Sequence, residues 1–376
     1  RVRRVMPGDT GETGALAGLP PAVTAEISRF IAKLRRRQVT SSQDVARKTL
    51  EIMMMTVSVG ASKDVSALIE LIKRAGGAIV AAAPHELAIG NMVRRVLRIV
   101  REETADEGAA APAVERPDSS AGGGGAAGSG PSLMKLLDAP ETTDYNQQPV
   151  KNRKSEILEA VGELVDELSS VSSHIAEQAI EHIHANEVIL THGRDPAVEA
   201  FLKAAHKKRQ FEVIVAETAL SGSGRETAVA LAEAGISTTL IADSATFAMM
   251  ARVNKVIVGA HAVMANGGLV ATAGAHALAL AAQHASVPFV ACAGLYKLTP
   301  LFPSGPEQAN VLLSPQPAIS YDDGLRDVHA PNPAYDLVPP ELVSLLVTNI
   351  GGNHPSYIYR LLAEYYHQED HTLFVS

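Results

Sequence analysis

Between residues 20 and 104 apolar positions recur three and four apart, the period of a helix that buries one face. Pro20 and Pro21 open the first such segment, and Ile27, Phe30, Ile31 and Leu34 form its stripe. The spacing predicts a helix over Thr24–Gln38. Ser41 and Ser42 can cap the next helix, which carries Val45, Leu50, Ile52 and the run Met53-Met54-Met55. Neighbouring helix positions point in different directions, so three methionines in a row read as adaptable packing and not as a metal site. Further helices are predicted over Ser62–Ala75 and His85–Glu103.

The pattern then lapses. Residues 104–131 are dominated by Glu, Ala, Pro, Ser and Gly, with Gly122-Gly123-Gly124-Gly125 near the end. Such a stretch cannot bury a core, and 105–150 is expected to be a flexible linker or insertion. A long helix is expected over Lys151–His184, with Ile157, Val161, Leu164, Val165 and Leu168 on one face.

From Glu187 the period shortens. β-rich runs at Val188–Thr191, Glu212–Ala216, Thr238–Ala242, Lys255–Val258 and Pro288–Ala293 alternate with helical patterns. Those patterns cover Pro196–Lys208, Arg225–Ala234, Ser244–Val253 and His276–His284. Strand–helix alternation at this spacing predicts an α/β fold, a Rossmann-like doubly wound parallel sheet. The expected organisation is an N-terminal helical domain over 20–104, the linker, and a long connecting helix plus α/β domain over 151–376. Ligand sites in such sheets form at the carboxyl ends of the strands.

Composition narrows this picture. With 4% aromatics and no Trp among 376 residues, the core must be aliphatic. A net charge of −8 lacks the electrostatic footprint of a nucleic-acid binder. The basic runs Lys33-Leu34-Arg35-Arg36-Arg37 and Lys207-Lys208-Arg209 close predicted helices, where cations suit the helix dipole. The single cysteine, Cys292, forbids an intrachain disulfide and points to a reducing compartment, and the cytosol is expected. It lies in the apolar run Val290–Ala293, where a buried inert thiol is the default. No apolar run reaches the roughly 18 residues of a membrane span. No histidine spacing suits zinc, since His182 and His184 are two apart on a helix.

Four strand ends could carry chemistry. They are Thr191-His192-Gly193-Arg194, the segment from Glu217 through Gly222-Ser223-Gly224-Arg225, Asp243-Ser244-Ala245, and Gly259-Ala260-His261 with Ala265-Asn266-Gly267-Gly268. Glycines ahead of a helix can cradle phosphate, but the fingerprint belongs after the first strand and here follows the second. A plain turn explains Gly222 and Gly224 as well, and Asp243 can be a helix cap. His192 and His261 are the plausible general bases, and neither has a Ser or Cys nucleophile beside it. No cofactor is implied.

Several segments together resemble the regulatory-subunit family of initiation factor 2B, which also holds methylthioribose-1-phosphate and ribose-1,5-bisphosphate isomerases. They are Glu181–Thr191, Asp243-Ser244-Ala245, Asn254–Ala260, Ala265–Gly268 and Asn332–Glu341. Within that family, Ser344–Leu361 and Gly90–Leu97 resemble the beta branch. The resemblance implies that the isomerases carry a Cys where this chain has Gly193, an Asp at His261 and an Arg at Ala219. It therefore implies a kept fold without the enzyme's catalytic residues. The vestigial pocket would comprise His192, Gly193, Gly224, Arg225, Asp243, His261 and Asn266. The implied role is a regulatory subunit of a guanine-nucleotide exchange factor, with delta, alpha, gamma and epsilon subunits and the alpha subunit of initiation factor 2 as partners. No nucleic acid or membrane partner is implied. An apolar subunit interface is expected within Leu342–Leu362, with Leu345, Ile350, Asn353, Tyr357 and Tyr359 its candidates. A sugar-phosphate isomerase or a sugar-phosphate or nucleotide-binding protein is the alternative.

Overall fold

Apolar stripes become the helices. The computed structural model describes residues 16, 18–60, 64–104, 153–219, 221–303, 310–320, 322 and 328–373. Helices α1 (Pro21–Arg35), α2 (Ser42–Val59), α3 (Val65–Ala82) and α4 (Leu87–Thr104) precede the long α5 (Lys154–Glu177) and one turn, α6 (Ala179–His182). The expected linker over 105–150 lies outside the described residues. Pro21 starts α1 where its missing N–H costs nothing, and the Ser41 side chain caps α2 by accepting from Asp44 N. On α5 the residues Ile157, Val161, Leu164, Leu168, Val171 and Ile175 form the buried stripe.

The α/β part follows as β1 (Val188–His192), α7 (Pro196–His206), β2 (Glu212–Ala216), α8 (Ser223–Glu233) and β3 (Ser237–Ile241). Next come the single turn α9 (Thr246–Met249), β4 (Lys255–Gly259), β5 (Ala262–Val263), β6 (Leu269–Thr272), α10 (Ala275–His284) and β7 (Phe289–Cys292). The chain ends with β8 (Tyr335–Val338), β9 (Leu345–Thr348), β10 (Gly351–Asn353) and α11 (Ile358–Tyr365). The main sheet has the order β10-β9-β7-β4-β1-β2-β3 and is parallel except for β10. Strands β5, β6 and β8 form a separate antiparallel sheet. With those set aside, the parallel strands run third, second, first, fourth, fifth, sixth, the dinucleotide-fold order.

Successive strand residues face opposite sides, and here the two sides enter different cores. Ile189, Val213, Val215, Ile257, Val290, Cys292 and Val347 join one core together with α1–α5. Leu190, Ile214, Val256, Val258, Phe289, Ala291 and Leu346 join the other, beneath α10 and α11. The helical region and one sheet face thus share a continuous apolar interior.

Several boundaries differ from the sequence reading. Helix α3 continues through Gly76-Gly77 to Ala82, because Gly76 lets α4 approach. A Cβ at Gly76 would lie 2.7 Å from the Val93 methyls. The helix predicted over Lys151–His184 breaks at Gln178, and the one over Ser244–Val253 is two 3-10 turns around α9. Strands β9 and β10 and the small sheet had no alternation long enough to announce them. In β9, Leu346 and Val347 are fully buried in the sheet.

The C-terminus returns to the helical region. Arg101 on α4 holds Asp370 through two hydrogen bonds of 3.1 and 3.2 Å, and Asp370 is fully buried. Arg94 donates to the Asp370 and His371 carbonyls. Among the described residues no helix is long and apolar enough to cross a membrane.

Candidate functional site

Strand order reverses between β1 and β4, so their carboxyl ends diverge and leave a crevice. A cavity of about 410 Å³ occupies it. His192, Arg194 and Asp195 reach it from the end of β1, and Gly259, Ala260 and His261 from the end of β4. The roof comes from the helical region, where Thr40 to Gln43 open α2. Tyr296 and Lys297 after β7, and Tyr335 on β8, complete the walls.

Charge in this lining is internally matched. Lys297 Nζ lies 2.9 Å from Asp195 Oδ2; the lysine is buried and the aspartate half-buried. Burial works against the ammonium, but Asp195 and then Tyr296 outweigh it and hold Lys297 above its usual range. Asp195 also caps α7 by accepting from Ala197 N at 2.8 Å. It packs so tightly on Gly259 that a Cβ there would come within 2.3 Å of it. Arg194 bonds Glu199 at 3.0 Å and also pairs with Glu226. Burial pushes the Cys292 thiol far up, so it is no nucleophile.

His261 is built into a seam. Its Nδ1 lies 3.3 Å from Ser42 Oγ and its Nε2 lies 3.2 Å from the His85 carbonyl, and its ring stacks on Tyr335 at 4.3 Å. The network is satisfied when Nε2–H donates to His85 and Nδ1 accepts from Ser42. Burial pulls the imidazole down to about 4, so it is neutral at physiological pH. His192 shares the cavity; its Nε2 lies 2.9 Å from the Ala273 carbonyl, in space that Gly274 leaves open.

The other candidates are placed elsewhere. Gly193 adjoins the cavity with its backbone committed, its N–H to Thr218 Oγ1 and its carbonyl to Thr227 Oγ1. Asp243 accepts from Thr218 N and Ala219 N at 2.9 and 2.7 Å, which pins the β2–α8 loop. It stands 3.9 Å from His192 Nδ1. Gly224 brings α8 onto β2, since a Cβ would lie 2.0 Å from the Ala216 carbonyl. Arg225 pairs with Glu217 on the surface, and Asn266 is exposed, accepting from Gly268 N in the β5–β6 turn. The structure therefore brings His192 and His261 into the lining and leaves Gly193, Gly224, Arg225, Asp243 and Asn266 outside it. Sequence reasoning passed over Asp195, Lys297, Ser42 and Tyr335. Asp195-Pro196 carried a helix-cap signal and Ser42 read as a helix cap; nothing in sequence marked Lys297 or Tyr335 as part of the site. Among the described residues, no cluster of His, Cys, Asp or Glu could hold a metal ion.

Residues 38–355 match the initiation factor 2 subunit family. The chain belongs to that family. It is 43% identical to translation initiation factor eIF2B subunit beta of Dictyostelium discoideum over 91% of this chain and 95% of that protein. Identity to the subunit of the same name from Schizosaccharomyces pombe is 37% over 92% and 97%. A ribose 1,5-bisphosphate isomerase of Archaeoglobus fulgidus is 30% identical over 58% of this chain and 71% of the isomerase. The crystal structure of eIF2B beta from Chaetomium thermophilum superposes with a TM-score of 0.72 at 29% identity, covering 97% of this chain and 98% of that one. A chain of the tetrameric eIF2B-beta2-delta2 complex from the same organism superposes with a TM-score of 0.67 at 29% identity, covering 96% and 100%. The resemblance to the beta branch is thereby borne out, as is the helical-plus-α/β fold.

Proposed function

We propose that this family member is a non-catalytic regulatory subunit of the guanine-nucleotide exchange factor for translation initiation factor 2. It works in the cytosol beside a delta-type subunit, together with alpha, gamma and epsilon subunits. The observation that carries this reading is the 43% identity to an eIF2B subunit beta across 91% of the chain. The site supports it. The cations of the cavity wall are matched by carboxylates, His261 is bound into a seam, and Gly193 offers no side chain. In this role the chain helps hold the alpha subunit of factor 2 and distinguishes its phosphorylated form by differential binding.

The delta-type partner docks on the C-terminal face. Ile350 is 60% exposed, Tyr359 75% and Tyr357 38%, with Leu345 and Asn353 half-buried beside them. Exposed aromatic and aliphatic anchors of this kind suit an interface centre. Leu342, Leu346, Ile358 and Leu361 are buried within the subunit and serve its own core. Co-purification of the chain with a delta-type subunit tests the assignment. The pair Ile350→Asp and Tyr359→Ala is expected to weaken association at least about tenfold, a loss of about 1.4 kcal/mol. Undiminished association would move the interface elsewhere.

The isomerase similarity and the open cavity favour one second reading, a sugar-phosphate enzyme. Turnover of ribose 1,5-bisphosphate or methylthioribose-1-phosphate, abolished by Asp243→Ala, would establish it in place of the first.

A further inference from the structure

Two cavities meet at one thin wall. The first is the strand-end cavity. The second, of about 230 Å³, lies between the α1–α2 and α3–α4 connections and includes Arg37, His85 and Glu86 in its lining. Thr40 and Tyr335 line both. The hydrogen bonds from His261 to Ser42 and to the His85 carbonyl, and its stack on Tyr335, cross this wall. They join three separate pieces of chain, the start of α2, the α3–α4 connection and β8, to the end of β4.

Behind the imidazole sits the half-buried carboxyl of Glu86, one of whose oxygens has no hydrogen-bond partner. Glu86 Oε2 is buried and finds no hydrogen-bond donor, although it lies 3.8 Å from His261 Nε2. Its other oxygen is 3.9 Å from His85 Nε2. His261 Nε2–H is already committed to the His85 carbonyl, so it cannot also serve Glu86. A carboxylate oxygen left in this state has lost its hydration without replacement, and its cost falls on the seam that buries it.

We propose that this wall is a proton-sensitive latch, in which His261 seats the helical region on the sheet and a charge on Glu86 loosens that seat. The inference rests on the geometry of the seam and is independent of the exchange-factor reading. Facing Glu86 are His85, His261, Tyr335 from β8 and Arg37 from the α1–α2 connection. Lys297 and Asp195 also act on His261 with opposite signs. Burial raises the Glu86 carboxyl to about 7, and Arg37 only partly opposes it. The latch is therefore closed when Glu86 is protonated. Opening lets the carboxylate reach water and return to its ordinary range near 4.5. As pH rises through about 7, closure is weakened relative to that open state.

Hydrogen exchange on the full chain at pH 6 and pH 8, corrected for the intrinsic rate, tests this. The reporting amides are Asp44 and Val45 at the start of α2, and Glu86 and Ile89 around the α3–α4 connection. Proton linkage between pKa values of about 7 and 4.5 predicts protection about tenfold lower at pH 8 than at pH 6. Leu164 and Leu168 in the α5 core should show no such difference. Glu86→Gln, which keeps shape and removes the charge, should abolish the pH difference. His261→Phe, which keeps a ring on Tyr335, should raise exchange at the seam at both pH values. Equal corrected protection of the wild-type seam at the two pH values would overturn the proposal, as would a pH difference that survives Glu86→Gln.

Discussion

Two seams tie the helical region to the α/β part, and they are built on opposite principles. At the C-terminal clamp Asp370 is fully buried, takes both Arg101 hydrogen bonds and has Lys73 at 3.6 Å. At the His261 seam the hydrogen bonds are 3.2 and 3.3 Å long, water-accessible cavities flank them, and one carboxyl oxygen is left unmatched. A buried charge fully met by partners is costly to break, because either half alone is stranded. A neutral bond beside an unmatched acid can yield at little cost. The contrast separates where this subunit is fixed from where it can move. The fixed point is the chain's end, and the yielding point is the wall of the strand-end cavity.

Variants can break that contrast in order of expected effect. Asp370→Ala removes the buried partner of Arg101, leaving it the half-exposed Glu369 at 2.7 Å, and should cost about 3–5 kcal/mol in chemical denaturation. A loss under about 1 kcal/mol would make the clamp no stronger than a surface pair. Gly224→Ala places a Cβ against the Ala216 carbonyl and should cost about 1–3 kcal/mol by overpacking, away from both seams. His261→Phe gives up two hydrogen bonds and keeps the stack, and should cost about 1–2 kcal/mol by the same measurement. If it matched the clamp variant, the two seams would be equivalent and the contrast would fail.

The smallest effect is conditional on pH and sharpens the comparison most. The folded protein holds the Glu86 proton up to about 7, against 4.5 for the ordinary group, so stability falls as pH rises between those values. Glu86→Gln removes that fall. Its melting temperature should exceed that of the wild type at pH 8 and equal it near pH 4. His261 acts in the opposite sense. It is buried neutral at about 4 against 6.5, so its contribution is lost as pH falls through that window. Because that second effect is common to wild type and Glu86→Gln, it cancels in their difference.

The parts legible in sequence were those with long, regular patterns. Apolar stripes marked α1, α2, α4 and α5, and β-rich runs marked β1, β2, β4 and β7. Short elements without alternation were missed, as β5, β8 and β10 show. Gly76-Gly77 suggested a helix end, and the packing of Val93 against Gly76 carried the helix through it. At the site, His192 and His261 were visible as strand-end histidines. Lys297 was not, because its meaning depends on Asp195, 102 positions earlier in the chain. Ser42 read as a helix-capping residue, and only the fold brings it to His261, 219 positions away. Local pattern records which face of an element is buried; it does not record which distant loop meets it.

The central claim, that the chain regulates exchange and does not catalyse it, is tested most directly by GDP release from initiation factor 2. The exchange factor is reconstituted with and without this chain, on unphosphorylated and phosphorylated substrate. Omission is expected to lower the stimulated rate on unphosphorylated substrate or to abolish the difference between the two substrates. Identical rates with and without the chain on both substrates would contradict it.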